Sequence, residues 1–561
     1  MRTASRTRQW GLFFAVYALF LLATGVSWAA DGPPQAAIAS AHPLATEAGF
    51  EVLTAGGNAF DAAVAVSATL AVVEPYSSGL GGGGFWLLYQ AEDGHELMLD
   101  GRERAPLAAQ RDMYLDAAGR FVPKLSLNGP LAAGIPGEPA ALAHLAEHYG
   151  RLPLARSLAP AIRLARAGFS VDGRYRRLAQ QRLAVLLQSP AAAEQFLRNG
   201  EVPPVGTLIA QPDLAATLER LASAGREGFY AGRTARLLIA GVRAAGGIWT
   251  PEDLASYRVM ERAPIVGHYR GWRVVSAAPP SSGGVLLVQM LNMLSHFDLA
   301  ALTDADRAHL LVEVMRRAYR DRALYLGDPD VFAVPVERLT HPFYAAGLAR
   351  DIDPDRATPS RPAAVWTQGT DTTHFSILDR EGNRVAATLS INYPFGSGFV
   401  PPGTGVLLND EMDDFSARPG VPNAYGLVGG EANAIVPGKR MLSSMTPTFA
   451  ESEWGLAILG TPGGSRIITM VLRALLSLDA GDPPAAWVTK PRFHHQYLPD
   501  RIQYEPGAFN ATERRRLEAK GHRLHEIQDG YGNMQAIHWD RLQNQVRAAS
   551  DPRGGGKVEI R

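Results

Sequence analysis

The chain contains no cysteine. Disulfides, thiolate catalysis and lipidation of a leader cysteine are therefore excluded. It also lacks an excess of either charge: Lys+Arg and Asp+Glu number 55 each. That balance gives no basic footprint for nucleic acid, so small-molecule partners are expected. Length alone would suggest several domains. Yet no charge block, Gly/Ser tether or internal repeat divides the 561 residues. They read as one large globular unit behind a leader, big enough to be held by core burial. A G-x-S-x-G elbow and a phosphate-binding P-loop are missing too.

What is present starts at the N-terminus. Arg2, Arg6 and Arg8 precede an apolar run from about Gly11 to Trp28, closed by the small-x-small site Ser27-Trp28-Ala29. This predicts an export signal over residues 1–29, cleaved near Ala29 or Ala30, and a periplasmic or secreted product. The competing reading is an uncleaved membrane anchor, since the run approaches the ~18 residues that span a bilayer. The Ala-Ala-Asp-Gly-Pro-Pro stretch directly after it favours cleavage.

Two Ala-rich helices are predicted between Pro43 and Val73, broken at Gly56-Gly57, with Asn58 capping the second. A glycine run, Gly81 to Gly84, leads into a strand over Phe85–Tyr89, and Glu96 to Leu99 returns after the Asp93-Gly94 turn. From about Glu138 to Leu326 the pattern is mostly amphipathic helix. A hairpin is expected from His374–Leu378 and Arg384–Ile391 around Glu381-Gly382-Asn383. Further strands fall at Leu456–Gly460 and near Gln535–Trp539, with a helix from about Ser465. Helices surround strands at both ends, which indicates α+β or layered α/β.

The chemistry concentrates where a proline- and threonine-rich run, Asp353 to Asp371, meets Thr372-Thr373-His374-Phe375. A Thr freed at such a seam carries its own general base, because an α-amine has a pKa of about 7.7–8.0. Such a nucleophile needs an oxyanion site. Gly460-Thr461-Pro462-Gly463-Gly464-Ser465-Arg466 offers backbone N–H groups between a strand end and a helix start, although a plain tight connection reads the same way. The Ser443-Ser444 hydroxyls can donate to a carboxylate, and the acids from Asp410 to Asp414 can hold an ammonium. That acidic stretch lacks the Gly and distal Glu of an EF-hand. Arg102 suits bidentate carboxylate binding, with a structural ion pair as its ordinary alternative.

Taken in order, Gly57-Asn58-Ala59-Phe60-Asp61, Gly81–Gly84, Thr372–Ser376, Asn409–Phe415, Ser443-Ser444-Met445 and Pro462–Arg466 resemble the γ-glutamyltranspeptidases. The resemblance spans almost everything after the leader. It implies an N-terminal-nucleophile hydrolase, a four-layer αββα sandwich of the α+β class. It further implies a precursor that cleaves itself between Asp371 and Thr372, giving a heterodimer of a large subunit, 30–371, and a small one, 372–561. By the same resemblance Thr372 is the nucleophile and Gly463 and Gly464 form the oxyanion hole. Arg102, Ser443 and Ser444 would bind the donor's α-carboxylate, and Asn392, Glu411 and Asp414 its α-amine. Asn392 is singled out by the resemblance alone. Ser390 stands where many members have a second Thr beside the nucleophile; the hydroxyl is kept and the stiffening methyl lost. Pro419–Pro437, with Tyr425, resembles a lid loop over the pocket.

The implied activity is transfer of the γ-glutamyl group of glutathione and related compounds to water, amino acids or dipeptides, with no cofactor and no metal. Two rivals stand: a cephalosporin or glutaryl acylase on the same scaffold, and an uncleaved, non-catalytic envelope binding protein. His144, Glu147 and His148 match the H-x-x-E-H zinc pattern but occupy a plain Ala/Leu helix, so a surface role is expected. His374 and the His494-His495 pair are expected to be structural.

Overall fold

The computed structural model describes residues 32–360, 372–416, 427 and 429–561. The leader, Asp371 and Tyr425 lie outside the described residues. In chain order, the strands of the two main sheets are β1 (Ala37–Ser40), β2 (Gly83–Tyr89), β3 (Glu96–Gly101), β4 (Met260–Arg262), β5 (Ile265–Tyr269), β6 (Trp272–Ser276), β7 (Thr373–Leu378), β8 (Arg384–Ser390), β9 (Thr448–Glu451), β10 (Gly455–Gly460), β11 (Gln535–Asp540), β12 (Gln545–Ser550) and β13 (Lys557–Ile560). The first sheet runs β13-β1-β7-β8-β2-β3-β4 and the second β12-β11-β10-β9-β6-β5. Every neighbouring pair in both is antiparallel.

The sheets pack face to face, β7 and β8 against β10 and β1 against β11 and β12. Helices α1 (Pro43–Thr54), α2 (Ala59–Val73) and α3 (Glu138–His148) cover the first sheet. Helices α4 (Gly283–Leu294), α5 (Asp304–Tyr325), α6 (Ile467–Asp479) and α7 (Pro484–Thr489) lie on the other side, with α4, α6 and α7 on the second sheet and α5 behind α4. The result is four layers, αββα. Alternation assigns each side chain to a layer. Phe85 and Leu87 enter the core between the sheets, whereas Trp86 and Leu88 enter the core under α2 and α3. Because both faces are covered, β2 reads as an unbroken apolar run rather than an alternating one.

Local signals hold at α2, where Asn58 caps the helix and Asp61 closes a capping box. His374 faces the second sheet, its Nδ1 2.8 Å from Thr388 Oγ1 and its Nε2 3.3 Å from Ser376 Oγ. The ring lies on Gly460, where a Cβ would approach it to 2.3 Å. Burial pulls its pKa down to about 3, so it is a neutral core residue.

The stretch from Glu138 to Leu326 is less helical than expected: it contributes β4, β5 and β6. In β5 the buried residues Ile265 and Tyr269 alternate with exposed Val266 and His268, a period-2 signal only five residues long. The helix expected from Ser465 begins as a 3₁₀ turn, Gly464–Arg466, and becomes α-helical at Ile467.

Candidate functional site

The β7–β8 ladder pairs His374 with Thr388 and Thr373 with Leu389. One rung further, Thr372 meets Ser390, their hydroxyl oxygens 3.4 Å apart. Both fall on the same side of the sheet as His374, facing the second sheet, and both are buried. Ser390 Oγ accepts a 2.8 Å bond from the Asn392 N–H. Asn392 itself has φ 73°, a left-handed conformation that Asn tolerates better than most residues. Its amide nitrogen donates to the Asp410 carbonyl at 3.0 Å. Strand β2 can lie this close to Ser390 because Gly82 has no side chain: a Cβ there would come within 2.2 Å of the Ser390 carbonyl oxygen.

Arg102 crosses from the end of β3 into the same space. Its Nη1 lies 2.7 Å from Glu411 and 3.4 Å from Glu103, and its Nη2 2.6 Å from Asp414. Burial opposes its charge, but the three acids outweigh burial and hold the guanidinium fully protonated. One cation cannot neutralise three acids. Burial pushes Glu411 up to about 7 against the pull of Arg102. Burial and the neighbouring Glu411 raise Glu103 well above the carboxylate range. The two acids therefore titrate as a pair and retain a proton near neutrality.

Two further groups face this cluster. Ser443 Oγ accepts from the Met445 N–H at 3.1 Å, which leaves its own hydrogen to donate. Beyond β10, Gly463 (φ 139°) and Gly464 (φ 57°) bend the backbone through conformations that favour glycine, ahead of the helix start at Ile467. Arg102, Thr372, Ser390, Asn392, Glu411, Asp414, Ser443, Ser444 and Gly464 line one cavity, with Gly463 next to it. Leu427, Met445, Ser465 and Ile467 complete its wall.

The gamma-glutamyltranspeptidase family model matches residues 45–560. The chain belongs to that family. The glutathione hydrolase proenzyme of Escherichia coli (strain K12) is 43% identical over 530 residues, covering 92% of this chain and 90% of the relative. A solved cephalosporin acylase from Bacillus halodurans superposes with a TM-score of 0.84 at 30% identity, over 94% of this chain and 96% of that one. The Helicobacter pylori gamma-glutamyltranspeptidase structure matches with a TM-score of 0.56 at 43% identity, over 57% of this chain and 92% of that one. The four-layer N-terminal-nucleophile hydrolase fold expected from the resemblance is the fold observed.

Within this γ-glutamyltranspeptidase scaffold, other polar motifs are structural. His144 Nε2 meets Glu261 at 2.8 Å and its ring lies 4.2 Å from that of His148. His494 bonds Thr469 and Gln496, and His495 bonds Asp500. A buried trio, His309, Glu313 and His522, brings metal-ligand types together. Its carboxylate is already held by Arg316, Arg317 and the Thr358 N–H. Sequence reasoning missed Glu103, although it adjoins Arg102, and it missed Arg322, whose Nη2 donates to Ser444 Oγ at 3.1 Å.

Proposed function

We propose that the protein is a self-processing γ-glutamyl transferase/hydrolase acting on glutathione and related γ-glutamyl amides. The observation that carries this reading is the Arg102 contact with Glu411 and Asp414, at 2.7 and 2.6 Å. An amino-acid head group is itself an ion pair. Its α-carboxylate can replace the acids on Arg102 while its ammonium replaces Arg102 on the acids, so every buried charge keeps a partner. A glutaryl group brings a carboxylate and no ammonium. Binding it to Arg102 would strand Glu411 and Asp414 without a cation, and a stranded buried charge costs about 3–5 kcal/mol. The charge arrangement thus favours a γ-glutamyl donor over an acylase substrate.

In this reading the Thr372 hydroxyl first attacks the carbonyl carbon of Asp371. The peptide C–N bond breaks as an ester forms, and water hydrolyses the ester. The products are a large subunit, 30–371, and a small one, 372–561, that begins with a free amine. That amine then takes the Thr372 hydroxyl proton as Oγ attacks the γ-carbonyl. The Gly463 and Gly464 N–H groups receive the negative oxygen. Collapse breaks the amide C–N bond, the leaving amine takes the proton, and a γ-glutamyl ester remains on Thr372. Water or an acceptor amine attacks that ester and restores the hydroxyl. Arg102, Ser443 and Ser444 hold the α-carboxylate; Asn392, Glu411 and Asp414 hold the ammonium; Ser390 orients the nucleophile. Export through residues 1–29, and Tyr425 as part of a lid, complete the proposal.

The test joins a denaturing gel to kinetics on a γ-glutamyl anilide and a glutaryl anilide, with and without glycylglycine. Two bands and preference for the γ-glutamyl anilide are expected, and Thr372→Ala should stay a single inactive chain. A single wild-type band, or preference for the glutaryl anilide, overturns the reading.

A further inference from the structure

Arg322 lies in the last turn of α5, 5% exposed, yet forms no ion pair among the described residues. Its Nε donates to Ser282 Oγ at 3.0 Å and its Nη2 to Ser444 Oγ at 3.1 Å. The carbonyl end of α5 offsets part of the charge. The rest is directed at the serine pair. Burial pulls its pKa down to about 10, which still leaves it charged at neutral pH.

The contact has a chemical consequence. A guanidinium only donates, so it occupies an acceptor site of Ser444 and turns that hydroxyl's hydrogen elsewhere. Ser443 is in the same state, since its oxygen accepts from the Met445 N–H. Among the described residues neither hydrogen has an acceptor, and both serines line the cavity that holds Thr372. Ser282 joins the two halves: its hydroxyl receives Arg322 and its N–H and O–H both donate to the Ser443 carbonyl, at 2.8 and 2.7 Å. Net charge matters as well. Arg102 is surrounded by Glu103, Glu411 and Asp414, so it attracts an anion only weakly from a distance. Arg322 faces hydroxyls and supplies positive potential on the serine side.

We propose that Arg322 is a positioning residue for the donor's α-carboxylate, fixing Ser444 as a hydrogen donor and placing a second positive charge behind it. The inference rests on the γ-glutamyl reading above. It makes carboxylate recognition depend on α5 as well as on Arg102.

Three substrates separate the contributions: γ-glutamyl p-nitroanilide, glutaryl p-nitroanilide, which lacks only the amine, and 4-aminobutyryl p-nitroanilide, which lacks only the α-carboxylate. Arg322→Gln should raise KM for the γ-glutamyl substrate about tenfold or more, the scale of a hydrogen bond to a charged group. The loss should extend to the glutaryl substrate and spare the 4-aminobutyryl one, with Arg322→Lys falling between Gln and wild type. A purely structural residue would weaken all three substrates together, and that outcome overturns the proposal. If Arg322→Gln fails to mature on a gel, Ser282→Ala decides. It frees Arg322 on one side, and an unchanged γ-glutamyl to 4-aminobutyryl selectivity ratio overturns the proposal, whereas a fall supports it. Failure of the γ-glutamyl reading itself would show separately, as wild-type protein inactive on the γ-glutamyl anilide.

Discussion

Ser390 stands opposite Thr372 across the β7–β8 hairpin, the two hydroxyl oxygens 3.4 Å apart. That is long for a hydroxyl pair, which prefers about 2.7–2.8 Å. Ser390 is nevertheless fixed on its other side by the Asn392 N–H at 2.8 Å. Its oxygen is positioned, while its hydrogen can turn to Thr372 or to the neighbouring Glu411 carboxylate. Replacing it by Ala removes the hydroxyl that stands beside Thr372, the proposed nucleophile. Self-cleavage of Ser390→Ala is expected to slow about 100-fold, the low end of what a positioned proton-transfer group contributes. Ser390→Thr keeps the oxygen and restricts χ1, so maturation should quicken by up to about threefold, the number of staggered wells a serine samples. Band intensities on a denaturing gel over time measure both. Equal rates for all three proteins would remove Ser390 from the mechanism.

Gly82, the residue directly before β2, sets the position of Ser390. A methyl group there would sit 2.2 Å from a backbone oxygen, which no side-chain rotation relieves. Gly82→Ala should push β8 away from β2 and cost about 1–3 kcal/mol, as overpacking does. Processing should slow more than stability falls, because the displaced residue is the one beside Thr372. Chemical denaturation and the gel time course together check this. A fully processed Gly82→Ala protein with lowered stability would mean that the Thr372–Ser390 contact tolerates a strand shift.

Much of this geometry is legible in the amino-acid order. The hairpin turn centred on Glu381 places Thr372 and Ser390 symmetrically, since 381 − 372 and 390 − 381 are both 9. Pairing across an antiparallel hairpin then follows from register alone. The glycine-rich turn after β10 and the serine pair are legible from chemistry and order. The mutual grip of Arg102 with Glu411 and Asp414 is not, because those residues are some 300 positions apart and only the fold joins them. Arg322 is hidden differently. It is one of four arginines within seven residues of α5, and Arg316, Arg317 and Arg320 all pair with acids. Nothing local distinguishes the fourth. Strands β12 and β13 carry only a faint signal because they are largely polar and partly exposed; Val546 and Ala549 in β12, and Val558 and Ile560 in β13, are too few to mark a strand.

Glu411 yields a prediction with a definite sign. Its folded-state pKa is pushed up to about 7 from an ordinary 4.5, chiefly by burial. Between these values the folded protein holds a proton that the unfolded chain has released, so this group's contribution to stability falls as pH rises from 4.5 to 7. Glu411→Gln removes that burden. Its gain in Tm over wild type should be larger at pH 8 than at pH 5, by about 2–4 °C for a protein of this size. The same substitution would weaken the proposed ammonium grip, so KM for a γ-glutamyl anilide should rise about tenfold. Thermal melts at the two pH values, set beside KM, test the trade. A variant less stable at pH 8 than wild type would show that Arg102 needs the Glu411 charge more than burial penalises it.

Tyr319 lies three residues before Arg322 on α5, so the two share a helix face. Its hydroxyl donates to the Ser465 carbonyl, directly after the Gly463-Gly464 bend. On the far side of that turn, Ser465 Oγ donates to Gln496 Oε1 at 2.6 Å. One face of α5 thus braces both halves of the cavity, the serine pair through Arg322 and the glycine turn through Tyr319. The two should be separable kinetically. Tyr319→Phe leaves the Ser465 carbonyl without its donor, a loss of about 1–3 kcal/mol at a buried group. It should loosen the N–H groups proposed to meet the oxyanion. Because an oxyanion's charge develops only in the transition state, kcat should fall about three- to tenfold with KM little changed. Arg322→Gln should do the reverse, raising KM. If Tyr319→Phe alters KM while sparing kcat, the Gly463-Gly464 turn is not where the negative charge of the transition state resides.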